Sequence, residues 1–98
     1  MPKTQPETFI RKSVTDALRA SGWYTFYNFQ GLGAYKGISD LTAVKDGQTL
    51  FVEIKTKTGR QSDYQMQFQK DIEAHGGVYV VARGLKDVEK YLTFKPLF

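Results

Sequence analysis

At 98 residues, 41% of them apolar and 14% aromatic, the chain suits one folded domain and excludes both disorder and a two-domain architecture. Absence of cysteine excludes disulfide staples and Cys-ligated structural zinc; with no bilayer-length apolar run and no signal-peptide character in Met1-Pro2-Lys3-Thr4-Gln5, a soluble, cytoplasmic protein is expected. A net charge of +4, from 14 Lys+Arg against 10 Asp+Glu, favours a polyanionic partner without specifying one.

Thr4-Gln5-Pro6-Glu7 has the form of a helix start, with Thr4 as N-cap, Glu7 closing a capping box and Pro6 in the first turn. Phe9, Ile10, Val14, Ala17 and Leu18 then recur at helical spacing, and Ser21-Gly22 ends the helix. Trp23 to Phe29 is aromatic and β-prone, so a strand is predicted. Its aromatics are expected in the core or at an interface rather than as base-stacking surfaces. The loop Gln30 to Gly37 follows; it lacks the Gly-Lys-Ser/Thr ending of a phosphate-binding P-loop.

Leu41 to Val44 and Leu50 to Lys55 are strand-like runs separated by Lys45-Asp46-Gly47-Gln48, and Asp-Gly between such runs predicts a two-residue type I′ hairpin. Ser62-Asp63-Tyr64-Gln65 repeats the capping-box pattern and opens a second helix ending at His75-Gly76-Gly77. Val78 to Ala82 reads as a buried strand, Leu85 to Leu92 as a short helix, and Thr93 to Phe98 as an apolar tail. Tyr91, Leu92, Phe94, Leu97 and Phe98 there either close a dimer or pack on their own core. The order predicts one domain over residues 1–98, of α/β (α+β) class, with a mixed central sheet flanked by helices. The second helix serves as the crossover that makes the Glu53 strand and the last strand parallel.

With Asp46-Gly47 as the turn, Lys45 faces Gln48, Leu41 faces Val52, and Asp40 faces Glu53. Lys55 projects from the face of Glu53, while Leu41, Ala43, Leu50, Val52 and Ile54 take the opposite, apolar face. Two opposed carboxylates repel, and a hard divalent cation such as Mg²⁺ or Mn²⁺ offsets that cost with oxygen ligands. Held there, the ion polarises a phosphoryl oxygen, with Lys55 able to orient water or neutralise developing charge. The competing view is a structural ion pair in which Lys55 merely neutralises the two acids.

Glu7 on the first helix, Gly37-Ile38-Ser39-Asp40 before the hairpin and Glu53-Ile54-Lys55 on its second strand resemble the PD-(D/E)XK nuclease superfamily. Gln65, after a short polar loop, is similar to the virus-type replication–repair nuclease (VRR-NUC) domain within it, and the likeness runs from Glu7 to about Ala82. The resemblance implies a restriction-endonuclease-like αβββαβ core and a metal-dependent DNA endonuclease. It makes Asp40, Glu53 and the backbone carbonyl of Ile54 the ligands of Mg²⁺ or Mn²⁺, with Lys55 acting on the attacking water. Glu7 and Gln65 would complete the site. It also implies a homodimer on branched DNA resembling a Holliday-junction resolvase, preferred over flap repair for want of further domains, and admits a phage source. Ser39 departs from the family's proline.

Glu7 and Gln65 keep an alternative as capping-box partners, and Gln69, one turn beyond Gln65, is either at the site or solvated. Tyr35, Lys36, Lys57 and Arg60 are candidate DNA contacts, with solvated loop residues as the alternative. His75, the only histidine, is read as a helix C-terminal residue, which excludes a His-rich metal nuclease. The rival functions are a nucleic-acid-binding module that does not cut and a small interaction protein with a structural acidic pair.

Overall fold

A computed structural model describes residues 5–96. Its elements in chain order are α1 (Glu7–Ala20), β1 (Tyr24–Tyr27), β2 (Leu41–Lys45), β3 (Gln48–Ile54), α2 (Asp63–Ala74), β4 (Val78–Ala82) and a 3-10 helix (Leu85–Tyr91). The strands form one mixed sheet in the order β1-β2-β3-β4, antiparallel across the first three and parallel between β3 and β4. The expected αβββαβ order and α+β class are those of the molecule.

The hairpin has the expected register, from Lys45 opposite Gln48 to Leu41 opposite Val52. Asp46 and Gly47 both take positive φ, +50° and +80°, as a type I′ turn demands. The α2 crossover sets Glu53 beside Val81 in the parallel pair. Alternation then divides the sheet. Leu41, Ala43, Leu50, Val52 and Ile54 are fully buried against Ile10, Val14 and Leu18 of α1, and Val88 of the 3-10 helix joins them. Burial of each large aliphatic side chain contributes roughly 1.5–3 kcal/mol, so this layer holds the strands in position.

The opposite face is covered only in part. Phe68 of α2 sets its ring edge-on to Phe51, Tyr79 and Tyr35, with centroids 5.7, 6.1 and 5.9 Å away. That aromatic cluster seats α2 over β3 and β4, yet no α2 residue is fully buried.

Several expectations are corrected. Thr4, the expected N-cap, lies outside the described residues; Pro6 occupies the N-cap position of α1 without a side-chain cap, so Glu7 is the first helical residue and closes no capping box. Phe9, expected on the apolar stripe, is exposed because the buried stripe is Ile10, Val14, Ala17 and Leu18. The first strand stops at Tyr27, since Asn28 turns its side chain to the Ser39 carbonyl and the Thr42 hydroxyl. Of its aromatics only Trp23 is buried, donating from Nε1 to the Tyr91 carbonyl; Tyr24, Phe26, Tyr27 and Phe29 are exposed. Strand β4 lies at a sheet edge, so Val78, Val80 and Val81 are only half-buried. The short last helix is present as expected, as a 3-10 helix. Tyr91 and Leu92 pack on the core and Phe94 is exposed, while Leu97 and Phe98 lie outside the described residues.

Gly37 has φ +82°, and a Cβ there would overlap the backbone carbonyl of Tyr64 in the first turn of α2. Gly33 has a similar φ, +90°, with open space around it. Gly37→Ala is therefore expected to destabilise the domain by about 1–3 kcal/mol more than Gly33→Ala, as read by urea unfolding. Equal losses would show that the loop yields without disturbing α2.

Candidate active site

Asp40 precedes β2 at the sheet end where β3 finishes. Its Oδ2 accepts a 2.6 Å hydrogen bond from the Ile54 amide, so the carboxylate takes the place of a main-chain partner at the end of the ladder. Ile54 puts its side chain in the core and its backbone against Asp40. Ser39 is completely buried; its hydroxyl donates to the Leu41 carbonyl, and its own carbonyl accepts from Asn28 and Gln30. Those bonds shape the approach to Asp40.

Glu53 is 2% exposed. Its Oε2 accepts from Gln65 Nε2 at 2.9 Å and lies 3.9 Å from Lys55 Nζ, while Oε1 accepts from the Tyr79 hydroxyl at 3.4 Å. Burial, reinforced by the Asp40 charge and a hydrogen bond between the two carboxyls, raises its pKa to about 8 from 4.5. Lys55 and the Tyr79 hydroxyl act in the opposite direction without prevailing. The shift favours the protonated form of Glu53. Burial, and next the Glu53 charge, also raise the Tyr79 phenol above its ordinary range.

Gln65 caps α2 and reaches Glu53 at once. Its Oε1 accepts from the Ser62 amide, and Ser62 Oγ accepts from the Gln65 amide, completing the capping box of α2. Its Nε2 remains free to donate to Glu53. A glutamate at this place would cap equally well but would set a third carboxyl against Glu53. Gln69 connects to the site only through two intermediaries: Gln61 Nε2 donates to Gln69 Oε1 and to the Tyr79 hydroxyl, which itself meets Glu53.

Glu7 does not join the pair. Its exposed carboxylate lies 3.9 Å from Arg11, and the same guanidinium group is 3.7 Å from Asp40, so Arg11 stands between the two acids. Among the described residues no group of three or more His, Cys, Asp or Glu is arranged to hold a metal ion, and the acidic set is Asp40 with Glu53. Lys57 and Arg60 are exposed on the loop after β3. Arg83 anchors that loop by donating to the carbonyls of Thr56, Lys57 and Gly59. Lys36 lies over the Tyr64 ring, 5.0 Å from its centroid, and Tyr35 is exposed beside α2.

Sequence reading missed Arg11 and Tyr79. Arg11 was signalled by its position one turn after Glu7, and Tyr79 by a hydroxyl in an otherwise apolar strand, which burial obliges to find a partner. Arg83 carried no such signal.

The shifted Glu53 has a measurable consequence. A carboxyl whose pKa rises on folding binds a proton in the native state that the unfolded chain releases, so stability falls as pH rises from about 4.5 to about 8. In metal-free buffer the wild type is expected to lose stability over that window, by an amount on the order of a few kcal/mol. Glu53→Gln should flatten the profile. A Glu53→Gln variant that retains the slope would place the responsible proton elsewhere.

Comparison of the chain with protein-family models, with curated proteins and with solved structures gives no match.

Proposed function

We propose that the chain is a divalent-metal-dependent DNA endonuclease of the VRR-NUC kind within the PD-(D/E)XK superfamily. One observation carries the reading: Asp40 and a buried Glu53 confront one another at the end of the hairpin, with Lys55 beside them. Two carboxyls in this relation fit a hard cation, because its charge would offset the repulsion between them. Asp40, Glu53 and the Ile54 carbonyl would hold Mg²⁺ or Mn²⁺, which when bound supplies Lewis-acid polarisation of a phosphoryl oxygen. Lys55 orients the attacking water and offsets charge accumulating on the phosphate. Gln65 and Tyr79 hold the Glu53 carboxyl in place, and Arg11 offers a guanidinium group to a substrate phosphate.

Branched DNA is the proposed substrate and a homodimer the proposed active form, since two-fold symmetry suits the paired strands of a four-way junction. The reading sets the protein inside the cell with its substrate, and no helix among the described residues is long and apolar enough to cross a membrane. A second reading, a nucleic-acid-binding module that does not cut, is favoured by Arg11, which occupies the space between Glu7 and Asp40.

Four-way junction, flap, single-stranded and duplex DNA incubated with Mg²⁺, Mn²⁺ or EDTA distinguish the two. Metal-dependent nicking is expected, reduced at least about 10²-fold in Asp40→Asn and Lys55→Ala. Binding without nicking under any metal supports the module, and neither activity supports an interaction protein. Sedimentation showing only monomer at micromolar concentration removes the dimer.

A further inference from the structure

Tyr24 and Phe26 share a strand face with the carboxyl site. On β1, Thr25 and Tyr27 turn toward α1, where Arg19 donates to the Thr25 hydroxyl and the Tyr27 hydroxyl donates to Thr15. Tyr24 and Phe26 therefore project from the other face. They lie opposite Val44 and Thr42 on β2, which alternation places on the face of Asp40, Phe51 and Glu53. Phe26 is two residues along the ladder from Asp40, roughly 7 Å, and Tyr24 four residues, roughly 14 Å. Since α2 rests on Phe51 and Tyr79, it leaves the rings of β1 exposed, while Thr42 beneath them is buried and Val44 half-buried. Tyr24 is 71% exposed and Phe26 43%, and their ring centroids are 6.0 Å apart.

We infer that this half-face is a stacking platform for unpaired bases, with Tyr24 and Phe26 as its stacking surfaces. The inference rests on the nuclease reading for its purpose: the platform leads a strand with unpaired nucleotides up to Asp40 and Glu53. Exposed aromatic rings on a sheet are the surface that flipped or single-stranded bases use, because every base offers a π-face. The charge agrees. From Gly22 to Ser39 the only charged side chain is Lys36, so no carboxylate repels a phosphate backbone across this stretch. Pairing of β1 with a second copy is opposed by Arg19, whose guanidinium group also donates to the Thr25 carbonyl and takes an acceptor that an added strand would need.

Fluorescence anisotropy of labelled single-stranded and duplex oligonucleotides in EDTA tests the platform apart from any cleavage. Tyr24→Ala and Phe26→Ala are each expected to weaken single-strand binding about 10-fold or more, with Tyr24→Phe close to wild type and duplex binding little changed. Photocrosslinking of a bromouracil oligonucleotide to the wild type should map to Tyr24 or Phe26. Wild-type affinity in both alanine variants, crosslinks only elsewhere, or no single-strand binding at all overturns the inference. A dimer that becomes monomer in the alanine variants with unaltered binding also overturns it, and assigns the surface to a second copy. Ring-dependent binding with no nicking under any metal removes the nuclease reading while the platform stands; nicking with ring-independent binding does the reverse.

Discussion

The hydrogen bond from the Ile54 amide to the Asp40 carboxylate organises the site. It lies just beyond the last matched pair of the hairpin, Leu41 with Val52, where a side chain substitutes for the main chain. A carboxylate used in this way is no longer free to swing into solvent. One oxygen is committed to β3, and the other is directed toward Arg11. Because Glu53 is the residue immediately before Ile54, the same bond brings the two carboxyls together. A short turn and one amide thus determine where the charge resides.

That geometry is costly and is maintained by its surroundings. An acid as deeply buried as Glu53 would prefer a partner of opposite charge, and Lys55 at 3.9 Å is too distant to bring its pKa down to an ordinary value. Donors from Gln65 and Tyr79 orient the group, and Gln61 and Gln69 steady Tyr79 in turn. Their amides and hydroxyl hold either protonation state of the carboxyl without adding charge of their own. A bound cation would let the two carboxyls ionise together, the relation on which the proposed metal site rests.

The two faces of the sheet divide the labour. The α1 face is aliphatic and fully buried, and it accounts for most of the cohesion. The other face carries the carboxyls, Lys55, the aromatic seat of α2 and the uncovered rings of β1. Gly37 links the two halves of that face. Close approach of its backbone to Tyr64 sets the start of α2, and with it the reach of Gln65 to Glu53.

Local chemistry made much of this legible from residues alone. The Asp-Gly turn admits one register, and period-two alternation then sorts Asp40, Glu53 and Lys55 from Leu41, Val52 and Ile54; both are short-range constraints that survive folding unchanged. The capping box of α2 was legible for the same reason. Tertiary packing decided the remainder. Whether Glu7 meets Asp40 depends on how α1 docks, and Arg11 takes that space; whether the aromatics of β1 are core or surface depends on which strands α2 covers. Such contacts join residues remote along the chain, where composition and spacing carry no information about direction. The sequence by itself therefore determined the hairpin and the carboxyl pair, and only the three-dimensional packing determined Glu53's burial, its partners Gln65 and Tyr79, and the exposed rings of β1.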